Sequence, residues 1–387
     1  MSEPSALSGV RVVDFTHVML GPCCTQLLGD FGADVIKVER PDSGDIMRRG
    51  SVAAADPAGP DNPVFLSLNR NKRSIALDLR KPEDLDAIRE LLRTADVVVS
   101  NFRPGVMERL GLGYEQLAQI NPRLIWASGS GFGSTGPYLH KGGQDMLAQA
   151  FAGLMERKAS PDLPTSIYPT PLCDYAAGMH LAQGILLALL ARERTGVGQK
   201  VEVALYDSAL AMQMQEATMQ LMRGRSLNWA EAPMTGVFGT ADGEICIVAA
   251  FRDGAVERVS EALELDPPLG ERGDFSSYEQ LVAQRAQLDE IMRAQLATKP
   301  TAHWMERLEA QDFLCAPVRP LAEALADEQT RLNDMLVEFE HPSAGTVRTV
   351  NAPVHLSGTP AAVHRRAPRL GEHTDEVLAP LATAAEA

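Results

Sequence analysis

VRVVDFTHVMLGPCCTQLLGDFGADVIKVE, residues 10–39, is the stretch whose reading decides the fold. Val10-Arg11-Val12-Val13-Asp14-Phe15 is a short β-rich run bounded by Gly9. A loop from Thr16 leads to Pro22, which suits the first turn of a helix running to about Leu28. Gly29 and Gly32 stop that helix, and Asp34-Val35-Ile36-Lys37-Val38-Glu39 is a second strand. Two apolar strands joined by a helix favour parallel pairing in a sheet covered on both faces.

The pattern continues outward. Strands are expected over Ser74–Leu79, Asp96–Ser100 and Leu124–Ser128. Between them lie a helix from Lys81-Pro82-Glu83-Asp84 to about Thr94 and a short one from Gly113 to Ile120. This half is Rossmann-like. Gly129, Gly131, Gly133 and Gly136 follow, where backbone can approach a ligand closely or take positive φ. Next come a helix from Asp145 to about Met155, a loop over 156–170 and a long apolar helix from about Tyr175 to Arg194. Thr195-Gly196-Val197-Gly198 ends it. A strand over Lys200–Leu205 and a helix over Asp207–Arg223 complete this part. Composition then shifts. Thr235–Ala250 reads as a hairpin turning at Ala241-Asp242-Gly243-Glu244. Helices near 253–264, 276–296, 301–311 and 320–326 and a strand over Val347–Val354 follow. The fold class is α/β, with a smaller α+β domain after the large one.

The chain has 387 residues, 45% hydrophobic and 22% charged, as a soluble enzyme of one large or two ordinary domains would. No run of eighteen uncharged apolar residues occurs, and the start, MSEPSALSG, is polar. Neither a membrane span nor a secretory signal is expected. Cys23, Cys24, Cys173, Cys246 and Cys315 form no CxxC and are odd in number, which points to reduced thiols and the cytoplasm. A net charge of −15 argues against nucleic acid. It leaves room for a small anion at local basic clusters. Two exist, Arg48-Arg49 and Asn69-Arg70-Asn71-Lys72-Arg73; taken alone, each reads as a solvated loop.

Several chemistries fall away. Glu39 ends the second strand, where a ribose hydroxyl would be held in a dinucleotide site, yet the first turn is Thr16-His17-Val18-Met19-Leu20-Gly21-Pro22. That turn lacks GxGxxG, so NAD is not expected. The eight histidines are scattered without HExxH, so no metal is expected, and GxSxG is absent. Asp174, just before the long helix, reads on position alone as an N-cap. A helix start would also keep a carboxylate ionised and offer N–H groups to developing negative charge.

Six segments resemble one family in order and spacing from about residue 7 to 378. They are FTHVMLGPCCTQLLGDFGADVIKVERPDSGD, NRNKRSIALDLRKP, VSNFRPGVMERLGLGY, SGFGSTGPY, CDYAAGMHLAQGILLALLARERTGVGQKVEV and LGEHTDEVL. The family is the class III CoA transferases, with formyl-CoA transferase, carnitine CoA transferase, α-methylacyl-CoA racemase and other CaiB–BaiF-like proteins. The resemblance implies an interlocked homodimer. Each chain would carry a large Rossmann-like domain (1–205), a linker helix (206–225), a small domain (226–315) and a C-terminal return to the large domain (316–387). It implies Asp174 as nucleophile. CoA contacts would fall on Arg40, Leu77, Arg80, Asn101, Phe102, Arg103 and Arg109. Val18-Met19-Leu20 and Gly142-Gly143-Gln144-Asp145 would flank the thioester.

On this resemblance CoA passes from an acyl-CoA, succinyl-CoA being the first choice, to a small carboxylic acid. The route runs through an aspartyl anhydride and an aspartyl-CoA thioester. CoA is substrate, not a resident cofactor. Departures narrow the choice. Formyl-CoA transferases carry glutamine at the position of Met19 and tyrosine at that of Gln144, and their long glycine-rich loop has no counterpart near Pro233–Gly239. Racemase relatives have histidine before the aspartate where this chain has Gly143-Gln144-Asp145. Glutamine cannot act as the base, which disfavours the alternative, a 2-substituted acyl-CoA racemase or epimerase.

Overall fold

A computed structural model describes residues 5–49, 61–160, 163–225, 227–249 and 252–385. Two compact units emerge: 1–154 with 167–214 and 329–387, and 155–166 with 215–328.

In the larger unit the strands are β1 (Arg11–Asp14), β2 (Asp34–Glu39), β3 (Lys72–Ala76), β4 (Val97–Ser100), β5 (Ile125–Ser130) and β6 (Lys200–Ala204). They form one six-stranded parallel sheet in the order β3-β2-β1-β4-β5-β6. Its helices are α1 (Leu20–Asp30), α2 (Pro63–Ser67), α3 (Pro82–Arg93), α4 (Val106–Arg109), α5 (Tyr114–Ile120), α6 (Asp145–Phe151), α7 (Leu172–Thr195) and α8 (Leu205–Met212). The sheet is covered on both faces, as its apolar strands require. Val12, Val35, Val97 and Ile125 pack against Leu28 of α1 and Leu181 and Ile185 of α7. Val13, Ile36, Val98 and Trp126 pack against Ile88 of α3, Leu117 of α5 and Val377. Each such side chain, once buried, contributes about 1.5–3 kcal/mol. The doubly wound α/β expectation is met. Individual ends differ: α1 starts two residues before Pro22, and β3 lies two residues earlier than the apolar run suggested.

The basic clusters are corrected. Neither is a solvated loop, and neither presents a phosphate site as a whole. Arg70 and Lys72 are buried, Arg70 on both carboxylate oxygens of Asp30 at 2.9 and 2.6 Å and Lys72 on Asp14 at 3.1 Å. Arg73 pairs with Asp34. Arg48 is buried against Glu39, with hydrogen bonds of 2.8 and 2.7 Å, and Glu39 also accepts from Ser74 Oγ. The carboxylate that could have held a ribose is thus committed within the protein.

The C-terminal segment closes the unit's edge. An antiparallel hairpin, β10 (Leu336–His341) and β11 (Gly345–Val350), precedes a helix over Thr374–Ala385. Strand β10 was not expected from the sequence. His373 N donates to Ser74 O and Thr374 Oγ1 accepts from Ala76 N, so edge strand β3 is covered.

The smaller unit has a three-stranded antiparallel sheet in the order β7 (Thr235–Gly239), β8 (Glu244–Val248), β9 (Leu314–Pro317). The expected hairpin is present, with Ala250 outside the described residues. Phe238, Ile247, Leu288, Met292 and Trp304 form its core. Helix 207–223 is broken into α8 and Met214–Arg223. At the break, Gln213 Nε2 donates to Ala152 O at 2.9 Å.

Candidate active site

The strand order reverses direction between β1 and β4, and in open parallel sheets ligands bind beyond the strand ends at that point. The turn after β1 crosses it. Asn101 Oδ1 accepts the His17 N–H at 2.9 Å, and Asn101 Nδ2 donates to His17 O at 2.7 Å. Val18 has φ of 68°, an αL backbone that costs a β-branched residue about 1–2 kcal/mol. Its N–H donates to Asp45 Oδ1 at 3.3 Å, and buried Lys37 meets Asp45 Oδ2 at 3.0 Å. The turn ends at Met19, and Leu20 opens α1.

A cleft of about 660 Å3 lies over the ends of β1 to β4. Its lining brings together five expected residues: Arg40, Leu77, Arg80, Phe102 and Arg103. Phe15, Val38, Leu79, Val106 and Leu110 give it apolar walls, and Phe102 stacks on His17 at 5.6 Å. Arg109 is not in this cleft; with Arg103 it lines a neighbouring cavity of about 500 Å3. Asn101 does not line this cleft; both ends of its carboxamide are committed to His17. Arg80 is held by Asp78 at 2.8 and 2.9 Å. Among the described residues, the Arg40, Arg103 and Arg109 guanidiniums form no hydrogen bond or ion pair. Arg49, which sequence reading left in a loop, also lines the cleft.

Asp174 stands inside the first turn of α7, not at its cap, which is Pro171. Asp145, at the start of α6, does the capping instead: its Oδ2 accepts the Asp174 N–H at 3.0 Å. The half-buried Asp174 carboxyl is not held ionised by its helix. Burial first, then the Asp145 charge, push it up to about 7, while the Leu20 backbone N–H hydrogen bond pulls the other way. Helix α1 approaches α7 closely because Gly178 has no side chain; a Cβ there would sit 2.2 Å from Cys23 Sγ and 2.5 Å from Leu20 O.

Asp145 is fixed by Gln149, a residue sequence reading missed. Gln149 is fully buried, donates to Asp145 Oδ1 at 2.6 Å, and exchanges hydrogen bonds with the Tyr168 backbone. Gln144 caps α6, its side chain accepting from Met146 N at 2.9 Å. Burial, then the Asp145 and Asp174 charges, push the Cys173 thiol up to about 12. It is no competing nucleophile at neutral pH.

The glycine-rich segment serves packing as well as turning. Gly133 and Gly136 have positive φ, but a Cβ on Gly131 would lie 2.4 Å from Gly143 Cα. That near contact joins 129–136 to the Gly142–Asp145 stretch. Phe132 packs on Tyr138, Phe151 and Tyr206 at centroid distances of 5.5, 5.1 and 6.1 Å. The segment is therefore anchored at its aromatic residue.

The family model described as CoA-transferase family III matches residues 7–374. A Chloroflexus aurantiacus protein named succinyl-CoA–L-malate CoA-transferase beta subunit is 35% identical, over 96% of this chain and 93% of its own. A formyl-CoA:oxalate CoA-transferase of Rhodopseudomonas palustris is 37% identical, over 96% and 92%. A crystal structure of a CAIB/BAIF family protein from Brucella suis superposes with a TM-score of 0.86 at 30% identity, covering 98% of this chain and 100% of that one.

Proposed function

The chain belongs to CoA-transferase family III and is a CoA-transferase, and we propose that it works through a covalent intermediate on Asp174. The observation that carries this reading is a half-buried carboxyl in the first turn of α7, packed beside the start of α1, which begins three residues along the chain from His17 in the wall of an arginine-bearing cleft. Burial strips water from Asp174 and makes it a better nucleophile when ionised.

The Asp174 carboxylate attacks the thioester carbonyl of the donor; the C–S bond breaks and CoA leaves as thiolate. The thiolate then attacks the aspartyl carbonyl of the mixed anhydride, expelling the donor acid and leaving an aspartyl-CoA thioester. An acceptor carboxylate enters and the two steps run in reverse. In this reading the Leu20 N–H, at the start of α1, stabilises the oxygen of the aspartyl carbonyl as charge develops there. Arg40, Arg80, Arg103 and Arg109 hold the phosphates through charge-assisted hydrogen bonds, and Leu77 and Phe102 give apolar contact. Asn101 contributes only its backbone. Val18, Met19, Gly143 and Gln144 flank the thioester.

We favour succinyl-CoA as donor and a small dicarboxylate as acceptor. The Chloroflexus relative supports this by name, and Met19 and Gln144 stand against the formyl–oxalate pair. Gln144 is spent as a helix cap, so no base is at hand there for the racemase alternative. Five free cysteines suit a cytoplasmic setting. Two copies form the working enzyme.

Intact-protein mass after mixing with succinyl-CoA and formyl-CoA, followed by hydroxylamine and peptide mapping, tests the mechanism. Modification at Asp174 with one donor, absent in Asp174→Ala, is expected. An unlabelled protein that instead washes solvent deuterium into C2 of a 2-methylacyl-CoA would replace this reading with the racemase.

A further inference from the structure

We infer that Asn101 and Asp45 are positioning residues: they hold the turn between β1 and α1 in its strained form and so fix the start of α1 where it packs on the Asp174 end of α7. This rests on the proposed role of Asp174.

The turn does not hold itself. Val18 is the one β-branched residue among the six described non-glycine residues with positive φ. Such a backbone persists where its surroundings over-determine it. Here they do so from two strand ends. Asn101, after β4, grips both the N–H and the C=O of His17, at 2.9 and 2.7 Å. Asp45, after β2, accepts the Val18 N–H at 3.3 Å. Asp45 is itself fixed by Lys37, whose ammonium also donates to Thr16 O at 2.6 Å. Lys37 and Asp45 are both wholly buried, so neither can relax into solvent. Peptide groups from Thr16 to Val18 are thus tied on both sides of the switch point. Two residues on, Leu20 opens α1 against α7: a Cβ on Gly178, one turn after Asp174, would lie 2.5 Å from Leu20 O. Asn101, with both polar atoms of its side chain engaged, acts through this turn and not as a side-chain contact to CoA.

The test uses Asn101→Leu, which removes both grips without adding charge, alone and with Val18→Gly, which removes the strain the grips oppose. Thermal unfolding checks each variant for folding. Single-turnover acylation with succinyl-CoA or formyl-CoA, whichever labels the wild type, should slow by about 10- to 100-fold in Asn101→Leu, with KM for the acyl-CoA nearly unchanged. Adding Val18→Gly should recover about tenfold of that loss. A raised KM at an unchanged acylation rate would make Asn101 a CoA contact and overturn the inference. Equal losses in both backgrounds would overturn it too.

A second readout needs no turnover. The Leu20 amide shift, followed by 15N-leucine labelling, should track Asp174 titration in the wild type and not in Asn101→Leu. The other titratable groups facing Asp174 are Asp145 from α6, Cys23 from α1 and Cys173 beside it on α7. If Asp174 never labels but this coupling is present and lost as stated, the nucleophile reading fails and the positioning survives. If the coupling is unaffected by Asn101→Leu, the positioning fails whatever Asp174 does.

Discussion

Asp174 is placed at a cost to the fold. Its carboxyl titrates at about 7 in the folded protein against an ordinary 3.8, chiefly because burial disfavours the charge. The folded state therefore holds this proton more tightly than the unfolded chain does. The sign follows: stability is greatest below the ordinary value and declines as pH rises through about 7. Asp174→Asn, a neutral copy of the protonated form, should melt higher than wild type at pH 8, and the advantage should fade toward pH 4. A variant that melts lower at pH 8 would mean the carboxylate is not destabilising. The same proton gates the chemistry, since only the anion attacks. Acylation by the wild type should climb with pH and level off above about 7.

At the scale of elements, the contact between α1 and α7 sets the geometry of the site. Gly178 permits it, because any Cβ would strike Cys23 Sγ and Leu20 O. Gly178→Ala should cost about 1–3 kcal/mol by overpacking, read as a lower denaturation midpoint, and should slow acylation by shifting Leu20. Gly270→Ala, in a helix with open space around it, is the matched control. If both variants behave alike, the close approach has no role. Element types were legible because strand and helix announce themselves by period: β1, α1 and β2 lie where residues 10–39 put them. Other features depend on partners distant in sequence. Arg70 and Lys72 look like solvated charges until Asp30 and Asp14 are brought beside them. The cap of α7 comes from Asp145, which no local pattern around Asp174 reveals. Gln149 is one more glutamine in a helix until the fold buries it. Asp174 itself was found by family resemblance, since position alone gave only a cap.

For the molecule as a whole, a net charge of −15 coexists with Arg40, Arg103 and Arg109 around the clefts, without partners among the described residues. A local positive field in an acidic chain binds an anion at a defined place. Arg103→Ala should raise KM for acyl-CoA about tenfold or more, the scale of a lost charge-assisted hydrogen bond, with kcat little changed. An unchanged KM would move the phosphates elsewhere.

The outer surface poses a different question. Helix α7 is, by length and composition, apolar enough to cross a membrane, although no run of eighteen uncharged apolar residues occurs. Its inner face is committed to the core through Leu181 and Ile185, but Leu187 and Leu190 are 67% and 54% exposed. On the helix Met214–Arg223, Leu221 and Met222 are 86% and 70% exposed. Contiguous exposed apolar surface marks a face for protein or membrane contact. Near the two ends of α7, buried Arg192 pairs with Asp96 at 2.9 Å and the Asp174 backbone N–H is capped by Asp145, polar commitments within the protein that favour a second copy over a bilayer. If two copies thread through each other, as the family resemblance implies, they cannot separate without unfolding, and dilution should not release a monomer. Mass photometry at nanomolar protein should give twice 41.8 kDa, and the protein should stay behind when lipid vesicles float. A 41.8 kDa species on dilution would exclude the interlocked dimer, and co-flotation would assign the leucines to a membrane instead.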